Sequence, residues 1–317
     1  MKIENLKGFD IVGNIAILKF SRNMKGKEKK KIAEKLLKKN PTIKTVLEKT
    51  GKFKGRLRKQ QTKHLLGIKT KEALYRENEC VFRFNVDKTY FSPRLSNERK
   101  EIASKIKKSS KVLVMFAGVA PYSIVIAKKS KAKVYSAEIN KEASKYAKLN
   151  VELNKLKDNV QIIQGDIRKT VKKILAHSRS QINKKISKQN YLLNKNYVES
   201  RAGRRLGVIS NRVSDNERAI KGGVIVRGTL VPHEFDFIVM PRPQLKESFL
   251  KEAFSLSKKN TVVFYYDFCK EEEIPSVKKK INEEAKKSKK KIKILNVKKA
   301  GEIAPYKFRV RIDFKVL

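Results

Sequence analysis

Hydrophobic and polar positions change period several times along this chain. Residues 9–20, FDIVGNIAILKF, are rich in β-branched and aliphatic side chains interrupted once by Gly13, which predicts two strands folded as a hairpin. Over 25–39, Ile32, Ala33, Leu36 and Leu37 recur at helical spacing among lysines, predicting an amphipathic helix. From 43 to 90, short apolar runs such as TVLEKT and VFRFNV alternate with glycine and charge. Residues 1–105 are therefore expected to form a small α+β domain ending near YFSPRLSNERKEIASKI.

A second pattern begins at 111. Apolar strands are predicted at 111–116, 133–137 and 160–164, separated by helical stretches at 122–129 and 141–155. The alternation resumes with a strand at 235–240 (FDFIVM), a helix at 245–257 and a strand at 261–266 (TVVFYY). A basic helix at 276–290 and strands at 291–297 and 307–316 close the chain. Such alternation predicts an α/β domain over 106–317, doubly wound around a mostly parallel sheet. Residues 176–233 interrupt it with 12 Lys/Arg against three acids and glycines of no single period, so they are expected to be a basic insertion, partly ordered at best.

Charge narrows the partner. The 317 residues suffice for two cores, and 78 Lys/Arg against 31 Asp/Glu leave a formal net charge of +47. Basic side chains gain affinity for polyanions by releasing counterions from phosphates, so nucleic acid is the favoured partner, with an anionic membrane surface as the rival. A generally Lys-rich cytosol would account for scattered lysines but not for so large an imbalance. No apolar run reaches transmembrane length, and MKIENLKGFD has no apolar leader segment. Cys80 and Cys269 are far apart, and His64, His177 and His233 lack zinc-ligand spacing, so reduced thiols, a cytoplasmic location and no structural metal are expected.

The candidate chemistry starts at MFAGVAPYS, 115–123, where a strand should turn into a helix. Gly118 lets the backbone approach a ligand, and the helix N-terminus beyond it offers free N–H groups. Glu138 follows 20 residues later at the end of KVYSAE, where a carboxylate can accept hydrogen bonds from both ribose hydroxyls. Asp166 ends VQIIQGD, placed to meet an adenine amino group. All three fall at carboxyl ends of strands, where open α/β sheets bind ligands. The bland alternative is a glycine turn with two helix-capping acids. A dinucleotide and S-adenosylmethionine both fit such an edge; the absent GxGxxG and the basic charge favour the methyl donor, which has no pyrophosphate to cradle.

Several stretches together carry a resemblance: FDIVGNIAIL, GRLRKQQTKHLLG, YRENECVFRFNVDKTYFSPRLSNER, VMFAGVAPYSI, VYSAEIN, LNVELNKL, FYY and APYKF, of which YFSPRLSNER is the most specific. With them the chain resembles the archaeal and eukaryotic tRNA (guanosine 37-N1)-methyltransferase family over nearly all its length except the insertion. The resemblance implies a small RNA-contacting domain followed by a Rossmann-like class I methyltransferase domain that uses S-adenosylmethionine on the tRNA base beside the anticodon, working as a monomer. It further implies Glu98 as the base that removes the guanine N1 proton and Arg58 as the cation that stabilises charge on O6. Arg99, Phe116, Gly118, Glu138, Ile139, Asp166, Ile167 and Pro241 would hold the cofactor, with Tyr90 and Pro243 lining the substrate pocket.

Three departures stand out. Ala120 occupies a position where the family commonly has Gly, and Glu138 one where it has Asp. In VMPRPQL, 239–245, Pro241 stands at the Asn of a usual Asn-Leu-Pro triplet whose amide orients the target base. The chain also starts at the small domain, without the further N-terminal domain of many relatives, and the insertion is expected to compensate on the tRNA. Alternatives are an aminocarboxypropyl transferase of the wyosine pathway, a bifunctional methyltransferase acting on guanosine and a wyosine precursor, and a catalytically weak RNA-binding protein.

Overall fold

The computed structural model describes residues 6–51, 60–176, 223–226 and 229–317. Arg58 and most of the expected insertion lie outside them. The N-terminal hairpin forms as the pattern predicts: β1 (Leu6–Val12) and β2 (Ile15–Phe20) pair antiparallel around Gly13. Gly13 has φ +60°, and a Cβ there would sit 1.9 Å from the Leu74 carbonyl oxygen, so only glycine fits. Helix α1 (Gly26–Lys39) buries Ala33 and Leu36 and crosses over to β3 (Thr45–Lys49), which runs parallel to β2; β4 (Thr62–Gly67) then pairs antiparallel with β3. Successive β2 residues point to opposite faces. Ala16, Leu18 and Phe20 pack under α1, while Ile15 and Ile17 join the core of the larger sheet.

Strands β5 (Glu72–Glu77) and β6 (Cys80–Asn85) form a second hairpin, whose turn residues Asn78 and Glu79 both have positive φ. Together with α2 (Ser96–Lys105), this hairpin packs into the core of the larger sheet, so the expected boundary near 105 falls inside shared packing.

The larger sheet has seven strands in the order β14-β15-β13-β12-β7-β8-β9. Its parallel members are β7 (Lys111–Met115), β8 (Lys133–Glu138), β9 (Val160–Gln164), β12 (Phe235–Met240) and β13 (Ser257–Cys269). The closing hairpin of β14 (Ile292–Ala304) and β15 (Lys307–Val316) adds an antiparallel edge. Both faces are covered, which is why β7 reads as a continuous apolar run: Val112 and Val114 face α3 (Pro121–Ser130) and α4 (Lys141–Leu153), whereas Leu113 and Met115 face the helices of the other side. Those are α5 (167–176), α6 (Leu250–Ser255) and α7 (Ile274–Lys287).

Two expectations change. The helix predicted at 245–257 shrinks to α6, because 245–249 is pinned as a loop: the Arg242 guanidinium takes the carbonyl oxygens of Leu245 and Glu247. The last part of the expected insertion is ordered, since β10 (Gly223–Val226) and β11 (Thr229–Pro232) form an antiparallel hairpin whose Val231 is fully buried. Cys80 and Cys269 are buried free thiols, and the described residues contain no cluster able to hold a metal and no helix long and apolar enough to cross a membrane.

Candidate active site

One cleft opens at the carboxyl ends of β7, β8, β9 and β12. The turn leaving β7 coils tightly, because Phe116, Gly118 and Ala120 have φ of +60°, +60° and +66°. Left-handed geometry costs a residue with a Cβ roughly 1 kcal/mol, a penalty Ala120 accepts where glycine would not meet it. At Gly118 the need is conformational rather than steric, since a Cβ would meet nothing closer than the Tyr90 carbonyl oxygen at 3.5 Å. The Ala117 N–H donates to the Ala137 carbonyl at 3.0 Å, fastening the turn to the end of β8.

Glu138 finishes that strand. One carboxylate oxygen accepts the Gly118 N–H and the other the Asn140 N–H, each at 2.7 Å. Burial pushes its pKa up, against the opposing pull of the backbone N–H groups of Asn140, Gly118 and Ile139. Helix α4 is capped by Asn140, whose side-chain oxygen accepts from the Glu142 and Ala143 N–H groups, so Glu138 is not a helix cap. Because a carboxylate already occupies the Gly118 N–H, a phosphate brought to this turn would meet negative charge. The turn suits a ligand with hydroxyls and no pyrophosphate. Asp166 differs: its Oδ1 accepts the Arg168 N–H at 3.0 Å at the start of α5, and the Arg168 guanidinium forks onto both oxygens. The helix-cap hydrogen bond is thus real there, although Asp166 also lines the cleft beside Ile167.

Across the cleft, α2 presents Glu98 and Arg99, both buried. The Arg99 guanidinium forks onto Glu77 of β5, donates to the Ser92 carbonyl at 3.1 Å and lies 5.0 Å from the Phe91 ring centre. It lines the cleft, as do Tyr90, Phe116, Ile139, Pro241 and Pro243. Phe116 packs edge-on against Phe249 at 4.9 Å. Glu98 is not part of the wall. Its Oε1 accepts the Tyr266 hydroxyl at 2.7 Å and the Arg311 guanidinium at 2.5 Å, while Lys298 sits 3.4 Å from Oε2. The hydroxyl-bearing rings of Tyr122 and Tyr266 do line the cleft, in front of Glu98.

Comparison with known proteins identifies the family. A sequence model of the TRM5/TYW2 methyltransferase domain fits residues 73–220, and one of the TYW2 N-terminal domain fits residues 2–70. A tRNA (guanine(37)-N(1))/4-demethylwyosine(37)-methyltransferase, Taw22 of Nanoarchaeum equitans, is 36% identical over 314 residues, covering 98% of this chain and 99% of its own. The chain belongs to the TRM5/TYW2 methyltransferase family. Within that family, Trm5b of Pyrococcus abyssi is 29% identical over 309 residues, covering 97% of this chain and 74% of its own. Its crystal structure superimposes with a TM-score of 0.70 over 98% of this chain and 75% of that one.

The fold thus gathers ten of the sequence-predicted site residues around one cleft and sets Glu98 just behind it; Arg58 lies outside the described residues. Sequence reasoning passed over Arg242, Tyr122, Tyr266, Arg309 and Arg311. Arg242 is fully buried between Pro241 and Pro243 and pairs with Asp267 at 2.6 Å, so it stiffens the loop at the end of β12. Its signal was visible as a lone charge between two prolines at a strand end. Arg309 of β15 lines the cleft near the Phe268 ring, its guanidinium 5.2 Å from the ring centre.

Proposed function

We propose that this chain is an S-adenosylmethionine-dependent tRNA methyltransferase that methylates N1 of guanosine 37. The observation that carries the reading is a single cleft holding the closed Gly118–Glu138 turn on one side and the buried Glu98 carboxylate just behind the other. Glu138 would hold the ribose, Phe116, Ile139 and Ile167 would supply apolar walls for the adenine and methionine portions, and Asp166 would meet the adenine edge. Bound there, S-adenosylmethionine would supply an activated methyl group. Guanine N1 holds its proton firmly at neutral pH, so the chain must accept that proton; Glu98 is the acceptor. Charge that develops on O6 needs a fixed donor, the role the resemblance gives Arg58. Since Pro241 has no amide to orient the base, main-chain carbonyls of the stiffened 241–243 loop take that task.

The tRNA backbone is held by the small sheet and by the insertion. Helix α1 exposes Lys27, Lys30, Lys31, Lys35, Lys38 and Lys39 away from its buried face. The protein acts as a monomer. A second target at the same tRNA position, 4-demethylwyosine, is favoured by the full-length likeness to a relative named for both substrates.

Mass spectrometry of nucleosides decides. Incubation with the methyl donor and tRNA carrying guanosine 37 should yield 1-methylguanosine, and tRNA carrying 4-demethylwyosine reports the second target. An aminocarboxypropyl adduct instead of a methyl group would replace this reading with the other wyosine-pathway activity.

A further inference from the structure

Glu98 sits behind the cleft wall, bonded to the Tyr266 hydroxyl and to Arg311. Its carboxylate is held by Arg311, a fully buried guanidinium that is itself clasped by Asp313 and Glu101. Swinging Glu98 into the cleft would break its bonds to both Arg311 and the Tyr266 hydroxyl. The proton must therefore travel to the carboxylate.

A path is present. The Tyr122 hydroxyl donates to the Tyr266 hydroxyl at 3.3 Å, and the Tyr266 hydroxyl donates to Glu98 Oε1 at 2.7 Å. Both tyrosines line the cleft; Tyr266 is buried on β13 between β12 and β15, so its hydroxyl is held in place and is reached from the cleft only where an incoming group displaces the Tyr122 hydroxyl. We propose that the Tyr266 hydroxyl relays the target base's proton from guanine N1 to Glu98. The proposal rests on the reading of Glu98 as the proton acceptor. In the step, the N1–H proton passes to the Tyr266 oxygen while the Tyr266 proton passes to Glu98. The N1 electron pair forms the bond to the methyl carbon, and the carbon–sulfur pair stays on sulfur. The products are 1-methylguanine, a neutral thioether and a protonated Glu98, with Tyr266 unchanged.

The surroundings suit a relay that never holds charge. Burial pushes the Tyr122 phenol up to about 12, and burial, then Tyr122 and Glu98, push Tyr266 well above the usual tyrosine range. Each phenol stays a neutral group that can accept and donate at once, as linked hydrogen bonds in a dry interior favour. The weak 3.3 Å bond from Tyr122 is the one the incoming N1–H would displace.

The test compares single-turnover methyl transfer in Tyr266→Phe and Glu98→Gln. Tyr266→Phe should slow the step roughly a hundredfold, the usual scale for a lost proton-transfer group, with tRNA and methyl-donor affinities retained. In mixtures of light and heavy water, the native rate should bend as expected for two protons in flight. If Glu98→Gln turns over normally, the base assignment itself fails. If Glu98→Gln is inactive while Tyr266→Phe runs at the native rate, Glu98 stands and the relay falls. Should Tyr266→Phe not fold, 3-fluorotyrosine placed at 266 keeps the ring. Its fluorine resonance in the protein alone should move on Glu98→Gln; an unmoved resonance, or a rate linear in heavy-water fraction, overturns the relay.

Discussion

Glu138 of the cleft wall and Glu101 of α2 live in opposite environments, and their behaviour follows from what surrounds each. Glu138 is buried with only backbone N–H partners, so its ionised form is held at a cost that a ribose with two hydroxyls would relieve. Glu138→Ala removes that acceptor and strands the Gly118 and Asn140 N–H groups. The free protein should lose about 1–3 kcal/mol of stability, and calorimetry should show methyl-donor affinity falling on the order of tenfold or more. Unchanged affinity would move the cofactor away from this turn. Glu101 shows the reverse. Burial alone would raise its pKa, but hydrogen bonds from Arg311, Lys298 and Lys105 bring it from the ordinary 4.5 down to about 2. A depressed folded pKa means stability that is present in full above about 4.5 and lost as pH falls toward 2. Denaturant titrations should therefore show a flatter acid limb in Glu101→Gln than in the native protein across that window.

Between elements, two asparagines one helical turn apart tie α4 to β6. Asn150 of α4 and Asn154 at its C-terminal cap accept the Arg83 and Val81 N–H groups at 2.7 and 2.9 Å, and Asn154 returns a bond to the Val81 carbonyl at 2.7 Å. The side-chain amides stand in for a neighbouring strand along the free edge of β6, while Asn150 also donates to the Val119 carbonyl at 3.1 Å, behind the cofactor turn. Asn150→Leu keeps the volume and removes both bonds. It should lower the melting temperature and speed exchange of the Arg83 amide; an unaltered exchange rate would show that β6 holds without α4. This clamp illustrates why the sequence could be read only so far. Buried parallel strands such as β7 and β12 announce themselves as apolar runs, and the cofactor turn by Gly118 and Glu138. Polar residues on a buried helix face look like a solvated face, so LNVELNKL reads as an ordinary amphipathic helix. The loop at 245–249 continues a helical pattern and is broken by the buried Arg242 guanidinium, which takes the Leu245 and Glu247 carbonyls, an interaction that helical periodicity does not reveal. Glu98 meets Tyr266 and Arg311 across 168 and 213 residues, a separation no local pattern encodes.

At the level of the whole molecule, the net charge of +47 acts beyond any single contact. The basic segment 176–233 lies between α5 and β12 in the chain and contains only Tyr191 and Tyr197 as aromatic residues. Such a composition suits contact with phosphates more than stacking on bases. Replacing 177–222 by a short Gly/Ser linker should raise the KM for tRNA and flatten its salt dependence, leaving the rate at saturating tRNA nearly native. Affinity that is unaffected at every salt concentration would place the grip on α1 and its sheet instead.

That sheet is not hung on a swivel. The turn at Gly13 presses its bare Cα against the Leu74 carbonyl, and Asn14 accepts the Leu74 N–H at 2.7 Å beside it. One absent methyl group therefore sets the angle at which the lysine-bearing arm projects from the catalytic body. Any larger residue would act as a wedge, tilting the arm while the cleft stayed whole. If that arm grips tRNA as proposed, a single missing methyl group fixes the distance between the grip and the cleft.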